Sequence, residues 1–350
     1  MILIRAKNFK NIIDTSRQLY YNVIVAEKSA KCISRKGKIM YYIGIDLGGT
    51  NIAAGLVTED GKIVTKTSTP TINTRPIEEI VADMAKVCYK VVEDANISMD
   101  EVKAIGVGAP GTIDNKNGVI VYSNNIKMEN VKIREMLQKY IDKPINLEND
   151  ANAAAYGEYC VNGNDAESFI FITLGTGVGG GVVINGKIYR GFNGAGGELG
   201  HITTVENGEQ CTCGHKGCWE AYASVTALIR QTKEAMEKNP DSMMNEWAKT
   251  NPKISGRTAF ECAKKGDKAA KEVVDNYIRH IGEGLVSVLN IFQPEKILIG
   301  GGISKEGDYI LTPLKEYVYK EDYNKFMPRT AIEIATLFND AGIIGAALSC

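Results

Sequence analysis

The chain of 350 residues is 44% hydrophobic and 24% charged, with a formal net charge of −1. This length allows two domains with hydrophobic cores, and the balanced charge argues against nucleic acid or a membrane surface as the main partner, because both attract clustered basic residues. No apolar run of the sequence reaches the roughly 18 residues of a membrane span, and no signal-peptide pattern opens it. Five of the eight cysteines are scattered singly. That usage is typical of a reducing compartment and predicts a cytoplasmic protein.

Residues 1–40 have no clear hydrophobic period and include several basic positions. Met40 directly precedes an apolar, β-branched stretch, so residues 1–40 are predicted to be an N-terminal extension, with Met40 as a candidate natural start. An additional N-terminal strand or helix is the alternative.

From Tyr41 onward, short apolar strands alternate with glycine turns and amphipathic helices. The strands predicted in the first half are Tyr42–Asp46, Ile52–Thr58, Ile63–Ser68, Val102–Gly108 and Ile145–Leu147. The helices predicted there are Pro76–Asn96, Val131–Tyr140 and one that begins at Asp150.

The same order of strand, glycine turn and hairpin begins again at Phe169. The strands predicted in the second half are Phe169–Leu174, Val182–Ile184, Lys187–Tyr189, Lys296–Ile299 and Ala331–Thr336. The helices predicted there are Trp219–Lys238, Gly256–Lys264, Asp267–Phe292, Leu311–Tyr319 and Gly342–Leu348. This internal duplication predicts an α/β protein with two similar domains that face one cleft.

Three glycine turns each follow a predicted strand. In the first, Asp46 precedes Gly48, Gly49 and Thr50, which suits a phosphate with a metal ion held through Asp46. It is not a Walker A motif, since no Gly-Lys-Ser/Thr follows.

The second turn, Gly175–Gly181, contains Thr176 and Gly177, and a hairpin follows it where a dinucleotide fingerprint needs a helix. The third contains Gly301 and Gly302 and is a candidate border for adenosine. Each turn alone could be structural, but three at matching positions predict a nucleoside triphosphate held between the domains.

Asp150 lies where a predicted strand ends and a helix begins. There it is a candidate base toward a hydroxyl group. It is also a candidate N-cap of the helix, and the two roles are compatible because a cap would fix the carboxylate.

A cysteine cluster indicates a structural zinc site. Cys211, Cys213 and Cys218 have metal-ligand spacing, and a four-coordinate site needs one more ligand. His201, outside the cysteine loop, is favoured over His215, which lies inside it. Three unliganded thiols are the alternative.

Six motifs together resemble the ROK family (repressors, open reading frames, kinases) of sugar kinases within the actin/hexokinase-like ATPase superfamily. The motifs are Asp46-x-Gly-Gly-Thr50, Gly108-Ala-Pro-Gly111, Glu148-Asn-Asp150-x-Asn152, Gly175-Thr-Gly177-x-Gly-Gly, Glu198-x-Gly-His201 and Cys211-x-Cys-Gly-x-x-Gly-Cys218-x-Glu220. The resemblance covers Tyr41 to about Ala347 and is strongest to the family's bacterial glucokinases. It implies ATP-dependent phosphorylation of glucose at the 6-hydroxyl, with Mg²⁺ and a structural Zn²⁺.

The resemblance also implies residue roles and an organisation. It implies Asp150 as catalytic base and His201, Cys211, Cys213 and Cys218 as zinc ligands. The sugar contacts implied are Gly111, Asn124, Asn149, Asp150, Glu198, His201 and Glu220. The nucleotide contacts expected are Asp46, Gly48, Gly49, Thr50, Thr176, Gly177, Gly301 and Gly302.

Two actin-like (ribonuclease H-like) domains are implied, a smaller one of residues 41–150 plus 338–350 and a larger one of residues 151–337 with the zinc loop. A homodimer or homotetramer is expected. The alternatives are a kinase for N-acetylmannosamine, mannose or fructose and, from another class, a sugar-responsive repressor.

Overall fold

A computed structural model describes residues 40–251 and 253–350, and Met40–Cys350 forms one compact unit. Residues 1–39 of the predicted N-terminal extension (residues 1–40) therefore lie outside the described residues. Within the described part of the chain, no helix is both long and apolar enough to cross a bilayer.

The first half of this unit is built on a five-stranded mixed sheet in the order β3-β2-β1-β4-β8. Strand β2 pairs antiparallel with β1 and β3, whereas β1, β4 and β8 run parallel. The strands are β1 (Tyr41–Leu47), β2 (Asn51–Thr58), β3 (Ile63–Pro70), β4 (Val102–Ala109) and β8 (Ile145–Asn149). The intervening strands form a separate three-stranded antiparallel sheet, β5 (Thr112–Asp114), β6 (Val119–Ser123) and β7 (Met128–Val131).

The second five-stranded sheet repeats the first, in the order β11-β10-β9-β12-β13. Strand β10 pairs antiparallel with β9 and β11, and β9, β12 and β13 are parallel. The strands are β9 (Ser168–Leu174), β10 (Val178–Ile184), β11 (Lys187–Ile188), β12 (Lys296–Gly300) and β13 (Ala331–Ile334). The predicted α/β class and the duplicated strand order are confirmed, and the topology is consistent with an actin-like ATPase.

Helices cover the sheets and connect them. They are α1 (Ile77–Asp94), α2 (Ile133–Gln138), α3 (Asp150–Glu158), α4 (Glu220–Ala223), α5 (Val225–Lys238), α6 (Met243–Thr250), α7 (Gly256–Lys264), α8 (Lys268–Phe292), α9 (Asp308–Glu321) and α10 (Asp340–Leu348). The amphipathic stripe predicted for α1 is observed: Ile80, Met84 and Val91 are among its buried residues.

The C-terminal helix α10 returns to the first sheet and to α3 at very close range. A Cβ atom on Gly44 of β1 would lie 1.8 Å from the carbonyl oxygen of Ile343, and one on Gly345 would lie 1.6 Å from that of Ala153. Glycine at these positions therefore lets the chain's last element pack directly on β1 and on the helix that begins at Asp150.

Three sequence-based boundaries were wrong for identifiable reasons. The stretch Gly179–Gly181 belongs to β10, not to a turn, because a Cβ at Gly181 would lie 2.4 Å from that of Ala155 and only glycine lets α3 pack there. The predicted helix Trp219–Lys238 is divided at Ser224, whose hydroxyl caps α5 by accepting from Ala227 N. The predicted helix Val131–Tyr140 is shorter, because Val131 pairs in β7.

Candidate active site

A cavity of about 410 Å³ lies where the chain leaves the carboxyl ends of β8 and β9. Its walls combine residues that were predicted to contact sugar with residues predicted to contact nucleotide. The predicted residues that line it are Gly111, Asn149, Asp150, Thr176, Gly177, Glu198, His201 and Glu220. One cleft thus joins motifs that are more than a hundred residues apart in the sequence.

Asp150 is the first residue of α3, directly after β8. The N-cap is Asn149 and not Asp150: the Asn149 side chain accepts hydrogen bonds from the backbone N–H groups of Ala151 (2.9 Å) and Asn152 (3.1 Å). The prediction that Asp150 caps the helix was therefore wrong, because the cap lies one residue earlier. Burial raises the pKa of the Asp150 carboxyl, which brings its proton affinity closer to that useful in a general base.

Asp46 lies in β1, and its carboxyl is largely buried. Burial and the charge of Asp150 together raise the pKa of Asp46 to about 6. Gly342 of α10 adjoins this carboxyl, since a Cβ there would lie 3.3 Å from Asp46 Oδ2. Two carboxylates that repel one another beside a cleft are a suitable environment for a divalent cation.

The remaining predicted nucleotide residues lie in turns after β1 and β12. Gly48 N–H donates to Asn51 O (2.9 Å), and the Thr71 hydroxyl donates to Gly48 O (2.6 Å), so the first turn is tight. Gly301 adopts a φ of 88°, and a Cβ there would lie 2.2 Å from Leu174 O. Six predicted nucleotide contacts are absent from the described residues that line the 410 Å³ cavity. They are Asp46, Gly48, Gly49, Thr50, Gly301 and Gly302.

Glu220 holds the second glycine turn in place. Its Oε2 accepts from Val178 N–H (3.0 Å), and a Cβ on Gly177 would lie only 2.2 Å from the same oxygen. Its other oxygen accepts from the Thr212 hydroxyl (3.2 Å) and the Cys211 thiol (3.6 Å). The glycine at 177 therefore makes room for a carboxylate that links the turn to the cysteine loop.

The side chains of His201, Cys211, Cys213 and Cys218 converge, with all four potential ligand atoms within 4.8 Å of one another. The separation is 3.7 Å both from His201 Nδ1 to Cys211 Sγ and from Cys213 Sγ to Cys218 Sγ. Tetrahedral zinc with bonds of about 2.3 Å to sulfur places ligand atoms ~3.8 Å apart. The four residues thus have the spacing of a zinc site.

The rival histidine, His215, contacts a different residue. Its Nε2 lies 3.2 Å from the Thr203 hydroxyl on the exposed side of the loop.

Burial and the neighbouring thiols raise the pKa of Cys218 to about 12, so the cluster would be stabilised by a cation that binds thiolates.

Trp219 attaches this loop to the body of the protein. Its side chain is fully buried, and its indole N–H donates to His280 O of α8 (2.8 Å). A Cβ on Gly284, one turn further along α8, would lie 2.0 Å from the indole. Because Trp219 stands between Cys218 and Glu220, its anchoring fixes the cysteine cluster and the cavity wall together.

Two further positions differ from the sequence-based expectations. Asn124 is exposed and, among the described residues, it is the neighbouring Asn125 that lines the cavity. Arg190 forms an ion pair with Glu148 beside the site and was not singled out from the sequence. Arg190 directly precedes a glycine-rich segment that leads to Glu198. This position was the sequence feature that could have indicated a role for Arg190 near the site.

Comparison with known proteins identifies the family of the chain. The pattern of the ROK family matches residues 42–349. A glucokinase of Thermotoga maritima is 37% identical over 307 residues, which cover 87% of this chain and 95% of that protein.

Solved structures of the same family have a similar fold. A ROK family glucokinase of Streptomyces griseus, solved with glucose and AMPPNP, matches with a TM-score of 0.74 and 34% sequence identity. The match covers 88% of this chain and 98% of that chain. A ROK hexokinase of Thermus thermophilus matches with a TM-score of 0.75 and 33% sequence identity, over 89% of this chain and 98% of that chain.

Proposed function

Because the chain belongs to the ROK family, we propose that it transfers the γ-phosphoryl group of ATP to the 6-hydroxyl of glucose, giving glucose 6-phosphate and ADP. The observation that carries this proposal is the placement of the Asp150 carboxylate in one cavity with the second glycine turn, Glu198, His201 and Glu220. The resemblance to glucokinases 36–37% identical in sequence supports glucose as the acceptor.

Asp150 is the proposed base. In phosphoryl transfer the protein mainly positions the reactants and neutralises charge. Asp150 orients the sugar hydroxyl and accepts its proton as the oxygen–phosphorus bond forms, and ADP leaves with the electrons of the broken bond. A sugar-responsive repressor needs no such base, so a buried carboxylate in this cavity favours the kinase.

The sugar is proposed to lie among residues from both halves of the site. Asn149, Glu198 and Glu220 present amide or carboxylate groups, which can pair with ring hydroxyls. Gly111 contributes backbone: a Cβ there would lie 2.1 Å from Tyr122 O, so only glycine permits this close approach. Asn124 remains a predicted sugar contact.

The triphosphate is proposed to lie against the three glycine turns. The first two provide Gly48, Gly49, Thr50, Thr176 and Gly177, and the third provides Gly301 and Gly302. Asp46 is the residue proposed to hold Mg²⁺, which when bound would neutralise charge on the phosphate oxygens. The raised pKa of Asp46 supports this role, because a cation would relieve its repulsion with Asp150.

His201, Cys211, Cys213 and Cys218 are proposed to hold Zn²⁺ as a structural ion. Four protein ligands would complete a tetrahedral shell, so the metal would hold the cavity wall and not polarise substrate. His201 would bind through Nδ1, which faces Cys211, leaving Nε2 for a sugar hydroxyl.

The proposed domains, residues 41–150 plus 338–350 and residues 151–337, each contain one of the five-stranded sheets. A homodimer or homotetramer remains part of the proposal, on the basis of the family alone.

Product identification tests this function directly. The protein is incubated with ATP, Mg²⁺ and glucose, and the product is analysed by ³¹P and ¹H NMR. We expect a phosphomonoester at C6 and equimolar ADP. A phosphate at another carbon would refute the assigned acceptor atom, and ATP hydrolysis without sugar phosphate would refute the kinase.

A further inference from the structure

An ion pair with a buried carboxylate joins the two sheets next to the candidate active site. Glu148 is the second-last residue of β8 in the first sheet, and Arg190 follows β11 of the second. Arg190 Nε lies 2.7 Å and Nη2 lies 2.5 Å from Glu148 Oε2. The Glu148 side chain is 3% exposed and that of Arg190 is 35% exposed, so the carboxylate is buried and the guanidinium is partly exposed.

The second oxygen of Glu148 organises the start of α3. Glu148 Oε1 accepts from Asn149 N–H (3.0 Å) and from Asn152 Nδ2 (3.3 Å). Asn149 in turn caps the helix whose first residue is Asp150. The carboxylate of Glu148 therefore fixes the backbone that carries the proposed base.

Arg190 also lies at the beginning of a glycine-rich segment. Residues 191–197 contain four glycines, three of which have positive φ, and Gly194–Gly197 line the cavity before the chain reaches Glu198. Glycine-rich backbone has high conformational freedom. Two nitrogens of Arg190, the residue directly before this segment, contact Glu148 Oε2. This contact restricts where the segment, and Glu198 after it, can lie.

From these contacts we infer that Arg190 and Glu148 are a positioning pair that sets Asp150 relative to the sugar-contacting segment ending at Glu198. Neither residue is among the described residues that line the cavity, so the pair acts through the residues it holds. This inference rests on the proposed kinase function, since it concerns the geometry of that reaction. A buried pair of this kind contributes little net stability over an uncharged pair of similar volume, but it can specify a geometry.

The test compares four variants with a matched control. Arg190→Met removes the charge and keeps the aliphatic length, Glu148→Gln keeps an acceptor for Asn149 N–H, and the double variant removes both charges. Arg190→Lys restores a positive charge without the two-nitrogen contact. Lys264→Met is the control, because Lys264 forms a 2.6 Å ion pair with the nearly buried Glu306 outside the residues that line the cavity.

For each variant we measure kcat, the KM values for glucose and ATP, zinc content and Tm. We expect Arg190→Met to lower kcat about 10- to 100-fold, the loss that a small misplacement of reacting groups produces. The KM for glucose should rise and the KM for ATP should stay within about twofold of wild type. Arg190→Lys should recover part of the lost kcat, and the control should leave all kinetic constants unchanged.

The double variant separates positioning from stability. Arg190→Met leaves a buried carboxylate unpaired and should lower Tm, whereas removal of both charges should restore Tm without restoring kcat. A double variant with wild-type kcat and glucose KM would overturn the inference, even if Arg190→Met does not fold. Wild-type protein that phosphorylates no sugar would instead refute the proposed function.

Discussion

Asp46 and Asp150 come from different elements of the first half of the chain, and the charge of one raises the pKa of the other. The pKa of Asp46 reaches about 6, with burial as the larger cause and Asp150 as the second. Two desolvated carboxylates that repel one another are unfavourable in the protein alone, and a bound cation would relieve the repulsion. We therefore expect that the ionised Asp46 lowers the stability of the ligand-free protein and is needed for its activity.

Replacing Asp46 by Asn should stabilise the ligand-free protein and abolish activity. A carboxyl whose folded pKa is raised adds stability below its unfolded pKa of 3.8, and that contribution is lost as the pH rises through about 6. At pH 7.5 the Asn variant should therefore gain about 1–3 kcal/mol in free energy of unfolding. Urea denaturation at several pH values measures this, with the exposed Asp142→Asn as control. Equal or lower stability would show that Asp46 is not strained.

The same shift predicts the pH dependence of the reaction. If Asp46 holds Mg²⁺ as proposed, it must be ionised to do so, and kcat/KM for ATP should fall as the pH drops through about 6. A pH profile in which Asp46→Glu moves this acid limb would support the assignment. An acid limb near pH 4 in the wild-type protein would contradict it.

Replacing Asp150 by Asn should lower kcat by about 10²- to 10⁴-fold, the range that general-base catalysis contributes. The fold should be retained, because Asn149, and not Asp150, caps α3. Glucose binding, followed by calorimetry, should weaken only slightly, and zinc content should be unchanged. A kcat within tenfold of wild type would exclude Asp150 as the base.

Replacing Cys213 by Ala should release the metal, whereas His215→Ala should retain it. Cys213 Sγ lies 3.7 Å from Cys218 Sγ, and His215 faces Thr203. Elemental analysis after dialysis should give about one zinc per wild-type chain and per His215→Ala chain, and none for Cys213→Ala. Loss of zinc from His215→Ala would transfer the fourth ligand from His201 to His215.

Replacing Gly284 by Ala should destabilise the protein by about 1–3 kcal/mol through overpacking. The new Cβ would lie 2.0 Å from the indole of Trp219, which must move together with Cys218 and Glu220. Gly302→Ala is the matched control for stability, because a Cβ there meets nothing within 4 Å. Glucose KM should rise in Gly284→Ala, and an unchanged Tm would show that Trp219 is not a rigid anchor.

Periodicity predicted most of the strands and the longer helices, because an alternating or helical apolar pattern reports directly which face is buried. Strands β5 to β7 were missed, since segments of three to five residues such as Thr112–Asp114 carry too little pattern. Helix α6, Met243–Thr250, was also missed, because its eight residues give only about two helical turns of pattern. The glycines of β10 were assigned to a turn, because sequence shows the missing side chain but not the helix that packs against it.

The site was predictable where the sequence carries local spacing. The cysteine cluster and His201 are examples, and the structure brings these four residues together. Long-range contacts were not predictable in this way. Nothing in the local sequence indicates that Arg190 reaches Glu148, or that Gly284 makes room for Trp219, because each partner lies on a separate element.

The rate of ADP release across a panel of sugars tests the central claim most directly. Glucose, N-acetylmannosamine, mannose and fructose are compared with ATP and Mg²⁺ in a coupled assay, and kcat/KM is determined for each. We predict the highest kcat/KM for glucose, by about tenfold or more, because one misplaced hydroxyl that leaves a buried polar group unpaired costs at least that factor. No sugar-dependent ADP release, or a clear preference for another sugar, would contradict the account.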